Sequence, residues 1–164
     1  MMICADYKRA ESEAQKLLES LGYTKPPVDP LEIAIELNIP VKFVNFSDEY
    51  NNISGFYYYK DNSIYVNKTE RPNRQTFTIA HELGHKILHE EWIKSDNYQV
   101  LFREQLAIPS KDPKEQEANC FAANLLVPKE MLIMYKDIAS IDELSTLFMV
   151  SKPVIRNRLN TLCL

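Results

Sequence analysis

The histidines constrain this chain more than any other feature. All three, His81, His85 and His89, lie four residues apart in a single stretch. The pattern around them, from about Arg74 to Glu91 with Phe77, Ile79, Ala80, Leu83, Ile87 and Leu88 apolar, is that of a helix. At about 3.6 residues per turn, His81 and His85 share one face with Cβ atoms about 6 Å apart. Two imidazoles so placed can reach one zinc ion at about 2.0–2.1 Å. Glu82, the next residue, can address a water at that ion without being a ligand. His81-Glu82-Leu83-Gly84-His85 therefore supplies two ligands and a general base. Gly84 costs on the order of 1 kcal/mol relative to alanine inside a helix. Its presence predicts a close approach by another element, with the adjacent sheet the expected one. Incidental histidines on an ordinary helix are the competing explanation, and the confinement of every histidine to this helix weighs against it.

A catalytic zinc takes three protein ligands and keeps one position open. His89 lies a further turn along, where a straight helix cannot wrap it round the same ion, so a structural or supporting role is expected. The segment opened by Asp112-Pro113 offers Glu115 and Glu117. Its apolar stripe contains Ala118, Phe121, Ala122, Leu125 and Leu126. On a wheel of about 100° per residue, Glu115 falls inside that stripe and Glu117 at its margin. A carboxylate aimed at a core needs a partner. Glu117 is expected to do no more than complement the positive end of its helix. Asn119, a turn after Glu115, can accept the spare N–H of a ligating histidine or can simply face solvent.

The remaining elements frame this segment. Residues 6–21 show a helical stripe of Ala10, Ala14, Leu17, Leu18 and Leu21, stopped at Gly22. Pro26, Pro27 and Pro30 mark a turn, and Asp29 is placed to cap a helix beginning at Pro30. Residues 39–44 read as a strand. Residues 56–60 and 64–67 are rich in aromatic and β-branched side chains and form a hairpin joined by Asp61-Asn62-Ser63. Tyr98, Val100 and Phe102 alternate with polar residues, as in a short strand. A helix is expected from Asp112 to about Val127, stopped by Pro128. Residues 129–164 read as two or three short helices.

Composition excludes several classes. The 164 residues carry 19 basic and 23 acidic side chains, a net charge of −4, which disfavours a broadly basic nucleic-acid-binding surface. With 45% hydrophobic residues the balance is that of a globular chain rather than a disordered one. No apolar run approaches the roughly 18 residues of a membrane helix, and no signal peptide is visible at the N-terminus. Cys4, Cys120 and Cys163 are scattered and form no Cys-x-x-Cys pair, so reduced thiols in a cytoplasmic protein are expected.

The stretch Arg74 to His85, the Glu115-Gln116-Glu117-Ala118-Asn119 segment and Phe121 to Pro128 together resemble the ImmA/IrrE family of metallopeptidases. Pro26 to Pro30 and Ser54-Gly55-Phe56 resemble it too, so the likeness covers most of the chain. It implies an α+β, zincin-like minimal core: a small twisted sheet with the His81–His85 helix behind it and the Glu115 helix crossing nearby. Residues 1–128 would form that core and residues 129–164 a C-terminal helical segment packed on it. The resemblance also implies Glu115 as third ligand, with Asn119 as its companion and Glu117 excluded. Zinc is the implied metal, although manganese or iron suits similar donor sets.

The implied substrate class is a helix-turn-helix repressor, cleaved or disabled to derepress a mobile element or stress genes. Water activated at the metal would attack the peptide carbonyl while Glu82 takes its proton and hands it to the leaving amine. Tyr57, Tyr58, Tyr59 and Tyr98 are candidates for a further oxyanion donor, with packing their favoured role. Strand 56–60 offers an edge for an extended substrate. Two departures stand out: Val127 where methionine is common, and Met149 in the turn of a helix-turn-helix-like segment, 143–159, where glycine is usual. Ser151 is placed to cap that segment's second helix. The segment is expected to serve packing or partner contact, with DNA binding disfavoured. The alternative function is a regulatory protein that sequesters a repressor without cutting it, its metal site structural.

Overall fold

The computed structural model describes residues 4–50, 52–95 and 112–164. The strand expected around Tyr98, Val100 and Phe102 lies outside them. The chain opens with helix α1 (Tyr7–Ser20), capped by the Asp6 carboxylate, which accepts the Arg9 N–H at 3.0 Å. It ends as expected at Gly22, whose φ of 74° suits a residue without Cβ. Helix α2 (Pro30–Glu36) starts where Asp29 accepts the Leu31 N–H at 2.8 Å. Strands β1 (Val41–Val44), β2 (Gly55–Tyr58) and β3 (Ser63–Asn67) follow. They form a mixed sheet of order β1-β3-β2, with β1 parallel and β2 antiparallel to β3. The β2–β3 pair is the expected hairpin, and Asn62 takes the left-handed conformation of its turn.

Helix α3 (Pro72–Ile93) is the spine of the fold. It is longer at both ends than the expected 74–91, because Pro72 is tolerated in a helix's first turn. All eight residues from Thr78 to His85 are buried, so the helix is covered on every side. The sheet packs on one flank through β2 and β3, and α1, α2 and helix α4 (Pro113–Leu126) cover the others. Asp112 caps α4 as expected, accepting the Lys114 N–H at 2.8 Å. Gly84 allows a close contact with α4. A Cβ there would lie 3.0 Å from Phe121 Cδ1 and 3.3 Å from the Ala118 Cα. The neighbour is therefore α4, not the sheet, which corrects the expectation from sequence.

Residues 129–164 form α5 (Lys129–Tyr135), α6 (Ile141–Leu147) and α7 (Lys152–Thr161). Their Leu132, Leu144, Phe148 and Ile155 belong to the same buried apolar cluster as Phe121 and Leu125 of α4. Arg158 of α7 is buried and donates from Nε to the Val127 carbonyl at 3.0 Å, at the negative end of α4. In the turn before α7, Met149 holds a φ of 55°, the left-handed conformation that glycine usually supplies. Ser151 stands at the N-cap of α7, but its side chain makes no capping bond. Among the described residues no helix is long and apolar enough to cross a membrane.

Gly55, at the start of β2, is the tightest backbone approach. A Cβ there would meet the Tyr65 carbonyl at 2.5 Å and Thr78 Cγ2 at 2.6 Å. Neither neighbour is the free end of a flexible chain. Gly55→Ala is therefore expected to cost at least the roughly 1–3 kcal/mol of ordinary overpacking. A fall in the urea midpoint with an unchanged m-value checks this; an unchanged midpoint refutes the packing argument.

Candidate metal centre

The junction of α3 and α4 brings together three buried donors from two distant stretches of chain. His81 and His85, a turn apart on α3, face Glu115 in the first turn of α4. His85 Nε2 lies 2.9 Å from Glu115 Oε1 and 2.9 Å from His81 Nε2, and His81 Nε2 lies 3.4 Å from Glu115 Oε2. Each residue offers one ligand atom within 4.8 Å of the others. Ligands at about 2.0–2.1 Å on tetrahedral corners stand about 3.3 Å apart, so an ion fits with shifts of a few tenths of an ångström. Two imidazoles and one carboxylate suit zinc, and also manganese or iron. Burial works against ionisation of Glu115, but the two imidazoles outweigh it and hold its carboxyl far below the usual range.

Asn119, one turn after Glu115, sets the first histidine. Its Oδ1 lies 2.8 Å from His81 Nδ1, so that ring nitrogen donates and Nε2 is left bare toward Glu115. Of the two roles open to Asn119 from sequence, the structure shows contact with His81.

Glu82, directly after His81 on α3, reaches toward the sheet. Its Oε2 accepts the Tyr57 backbone N–H at 3.0 Å, in a buried contact. Among the described residues β2 is an edge strand, so this bond fastens Glu82 to the side of the sheet that faces away from β3. Nothing in the residue alphabet signals a backbone donor, and the sequence reading missed it. Tyr57 itself is a packing residue: its ring is buried and its hydroxyl donates to Asn62 Oδ1 at 2.9 Å. Tyr58 is exposed and Tyr59 half-buried, while Tyr98 lies outside the described residues.

Glu117 stands differently from the expectation, and His89 sits at a kink that the sequence did not announce. α3 kinks at His89, where φ and ψ are −127° and 18°. The His89 ring Nδ1 lies 3.0 Å from His85 Nδ1, and its Nε2 lies 2.7 Å from Glu117 Oε2. His89 is thus a neighbour of the site and not a member of the donor cluster, as expected. Glu117 is not a solvated charge at a helix end. It is buried, and its Oε1 accepts the Asp6 N–H at 2.8 Å. The wheel could not show this, because the covering element is α1, more than 100 residues earlier in the chain. Burial lowers the His89 pKa, against an upward pull from Glu117. Burial opposes ionisation of Glu117, yet the Asp6 amide and His89 hold its carboxyl below the usual range.

A family model described as the IrrE N-terminal-like domain, of peptidase family M78, matches residues 34–160. The chain is 34% identical over 111 residues to "Uncharacterized immunity region protein 2" of Bacillus phage phi105, over 66% of this chain and 65% of that protein. It thus spans just under two thirds of that relative's length. A solved structure of a Mycobacterium tuberculosis transcriptional regulator superposes with a TM-score of 0.65 over 93% of this chain and 46% of that one, at 18% identity. That likeness shows a shared fold. The family match covers most of the chain and encloses His81, Glu82, His85 and Glu115, and the α+β architecture agrees with it; the chain belongs to the IrrE N-terminal-like family, peptidase family M78.

Proposed function

We propose that this protein is a metal-dependent endopeptidase whose substrate is a helix-turn-helix repressor, and that it acts in the cytoplasm. The observation that carries the reading is the buried cluster of His81, His85 and Glu115 with Glu82 one residue from the first ligand. His81, His85 and Glu115 would hold the ion, zinc by preference. A divalent cation there supplies Lewis acidity toward a water and a peptide carbonyl. Glu82 takes the proton of the attacking water and returns it to the leaving nitrogen. The Tyr57 N–H keeps that carboxylate at the edge strand. An extended peptide added alongside β2, an edge strand among the described residues, would run past the Tyr57 N–H that Glu82 holds and so lay its scissile bond beside Glu82. Kinship with a phage immunity-region protein supports a repressor as substrate, and repressors act where their DNA is. The net charge of −4 argues against DNA as the partner.

A second reading has its own observation. His81, Glu82, His85 and Glu115 are only 0%, 3%, 5% and 6% exposed. A site so covered also suits a protein that sequesters a repressor and keeps its metal for structure. Incubation of the metal-loaded protein with the repressor encoded beside it, followed by mass spectrometry, separates the two. Defined fragments are the expected result. An intact repressor in a stable complex would favour sequestration, and an untouched, unbound repressor would sink both.

A further inference from the structure

We propose that His89 and Glu117 are positioning residues that fix the tautomer of His85, and that this relay is anchored on the N-terminus of α1. The inference rests on the metal-centre reading above and adds to it two residues and an element outside the donor cluster.

The hydrogen bonds form one directed chain. To meet an ion beside Glu115, His85 must present a bare Nε2, so its proton sits on Nδ1. That proton can go only to the facing atom, His89 Nδ1 at 3.0 Å, which must then be bare. The His89 proton therefore sits on Nε2 and is donated to Glu117 Oε2 at 2.7 Å. Glu117 Oε1 in turn accepts the Asp6 N–H at 2.8 Å. Every donor meets an acceptor, and the sequence of choices ends on a backbone amide that cannot reverse. His89 lies one turn after His85, the spacing at which helical side chains meet. The contact between α1 and α4 is what brings the amide to Glu117, and Tyr7, which donates to Gln116 Oε1 at 2.9 Å, flanks it. Asn119 performs the same service for His81 with a single residue. A partner that fixes a ligating imidazole in this way is worth roughly 10- to 100-fold in metal affinity.

Two substitutions break the relay by different means. His89→Leu removes the acceptor for His85 Nδ1. In Glu117→Gln the amide oxygen must face the Asp6 N–H, so its NH2 faces His89 Nε2. His89 must then accept at Nε2 and carry its proton on Nδ1, opposing His85 and driving the His85 proton onto the metal-binding nitrogen. His89→Asn is the conservative variant: its Oδ1 can stand where the imidazole Nδ1 stood and accept from His85, while the bond to Glu117 is given up. Tyr7→Phe is the control: it alters the same α1–α4 junction without touching the relay.

The test is zinc affinity of the full-length protein by chelator competition, alongside the visible spectrum of the cobalt-loaded form and the thermal midpoint of the metal-free form. His89→Leu and Glu117→Gln are expected to weaken zinc binding roughly 10- to 100-fold and to shift the cobalt spectrum. Tyr7→Phe should stay near wild type, and His89→Asn should lose clearly less than His89→Leu. If His89→Leu and Glu117→Gln lowered only the metal-free midpoint, with zinc affinity unchanged, the two residues would be packing and the proposal would be overturned. Equal losses in His89→Leu and His89→Asn would overturn the tautomer argument. A wild-type protein that binds no zinc, manganese or iron would instead overturn the metal-centre reading itself.

Discussion

Replacing Glu82 by glutamine is expected to abolish repressor cleavage while leaving metal binding at the wild-type level. Glutamine keeps the shape of the side chain and an oxygen that can still accept the Tyr57 N–H. It cannot take up a proton at neutral pH. Loss of a positioned general base costs roughly 10²- to 10⁴-fold in rate. The metal is untouched, because His81, His85 and Glu115 supply the donors and Glu82 is not among them. Glu82→Ala is the informative contrast. It removes the proton acceptor and also leaves the buried Tyr57 amide without this partner, which costs about 1–3 kcal/mol of stability. The glutamine variant should therefore be inactive at an unchanged thermal midpoint, the alanine variant inactive at a lowered one. Cleavage by Glu82→Gln at the wild-type rate would remove Glu82 as the base.

Sequence periodicity exposed the parts of this site that depend on faces and hid the parts that depend on neighbours. His81 and His85 had to share a face once their stretch was helical, and Glu115 had to point inward once the stripe of Ala118 and Ala122 was recognised. The face of Asn119 followed from Glu115 by a single turn, but periodicity left contact with His81 and exposure to solvent equally open. The hairpin between β2 and β3 and the caps at Asp29 and Asp112 were legible because turn and cap residues carry their own chemistry. What packs against a face is another matter. Gly84 announced a close approach, but nothing in the letters distinguished α4 from the sheet as its source. Glu117 looked like a helix-end charge because the amide it accepts from, at Asp6, belongs to an element that only folding brings near. The Tyr57 amide was invisible for a simpler reason: every residue but proline has one. His89 shows the limit of the wheel itself. Spacing of i, i+4, i+8 puts His89 near His85, but it shows neither the kink at His89 nor which ring nitrogen faces His85 Nδ1.

The two glutamates of α4 should separate cleanly when the metal is used as a ligand for folding. An ion that binds the folded chain and not the unfolded one, at a free concentration about 1,000 times its Kd, stabilises by about 4 kcal/mol. For a chain of this length each kcal/mol moves the midpoint by about 2–4 °C, so the wild-type protein should gain roughly 8–16 °C on adding zinc and lose it to a chelator. Glu115→Ala removes one of three protein donors and the only carboxylate among them. The two remaining imidazoles are neutral, so the ion keeps its full charge in a buried site with no carboxylate ligand to offset it. The zinc-dependent gain should then all but vanish at the same zinc concentration. Glu117→Gln lies outside the donor cluster, and its weakening of roughly 10- to 100-fold takes away only about 1.4–2.7 kcal/mol, leaving a reduced but measurable gain. The ranking is the decisive outcome. If Glu115→Ala retained the wild-type gain while Glu117→Gln lost it, the ligand and the positioning residue would have to exchange places, and the geometry that sets Glu115 between two imidazole nitrogens at 2.9 and 3.4 Å would have been misread.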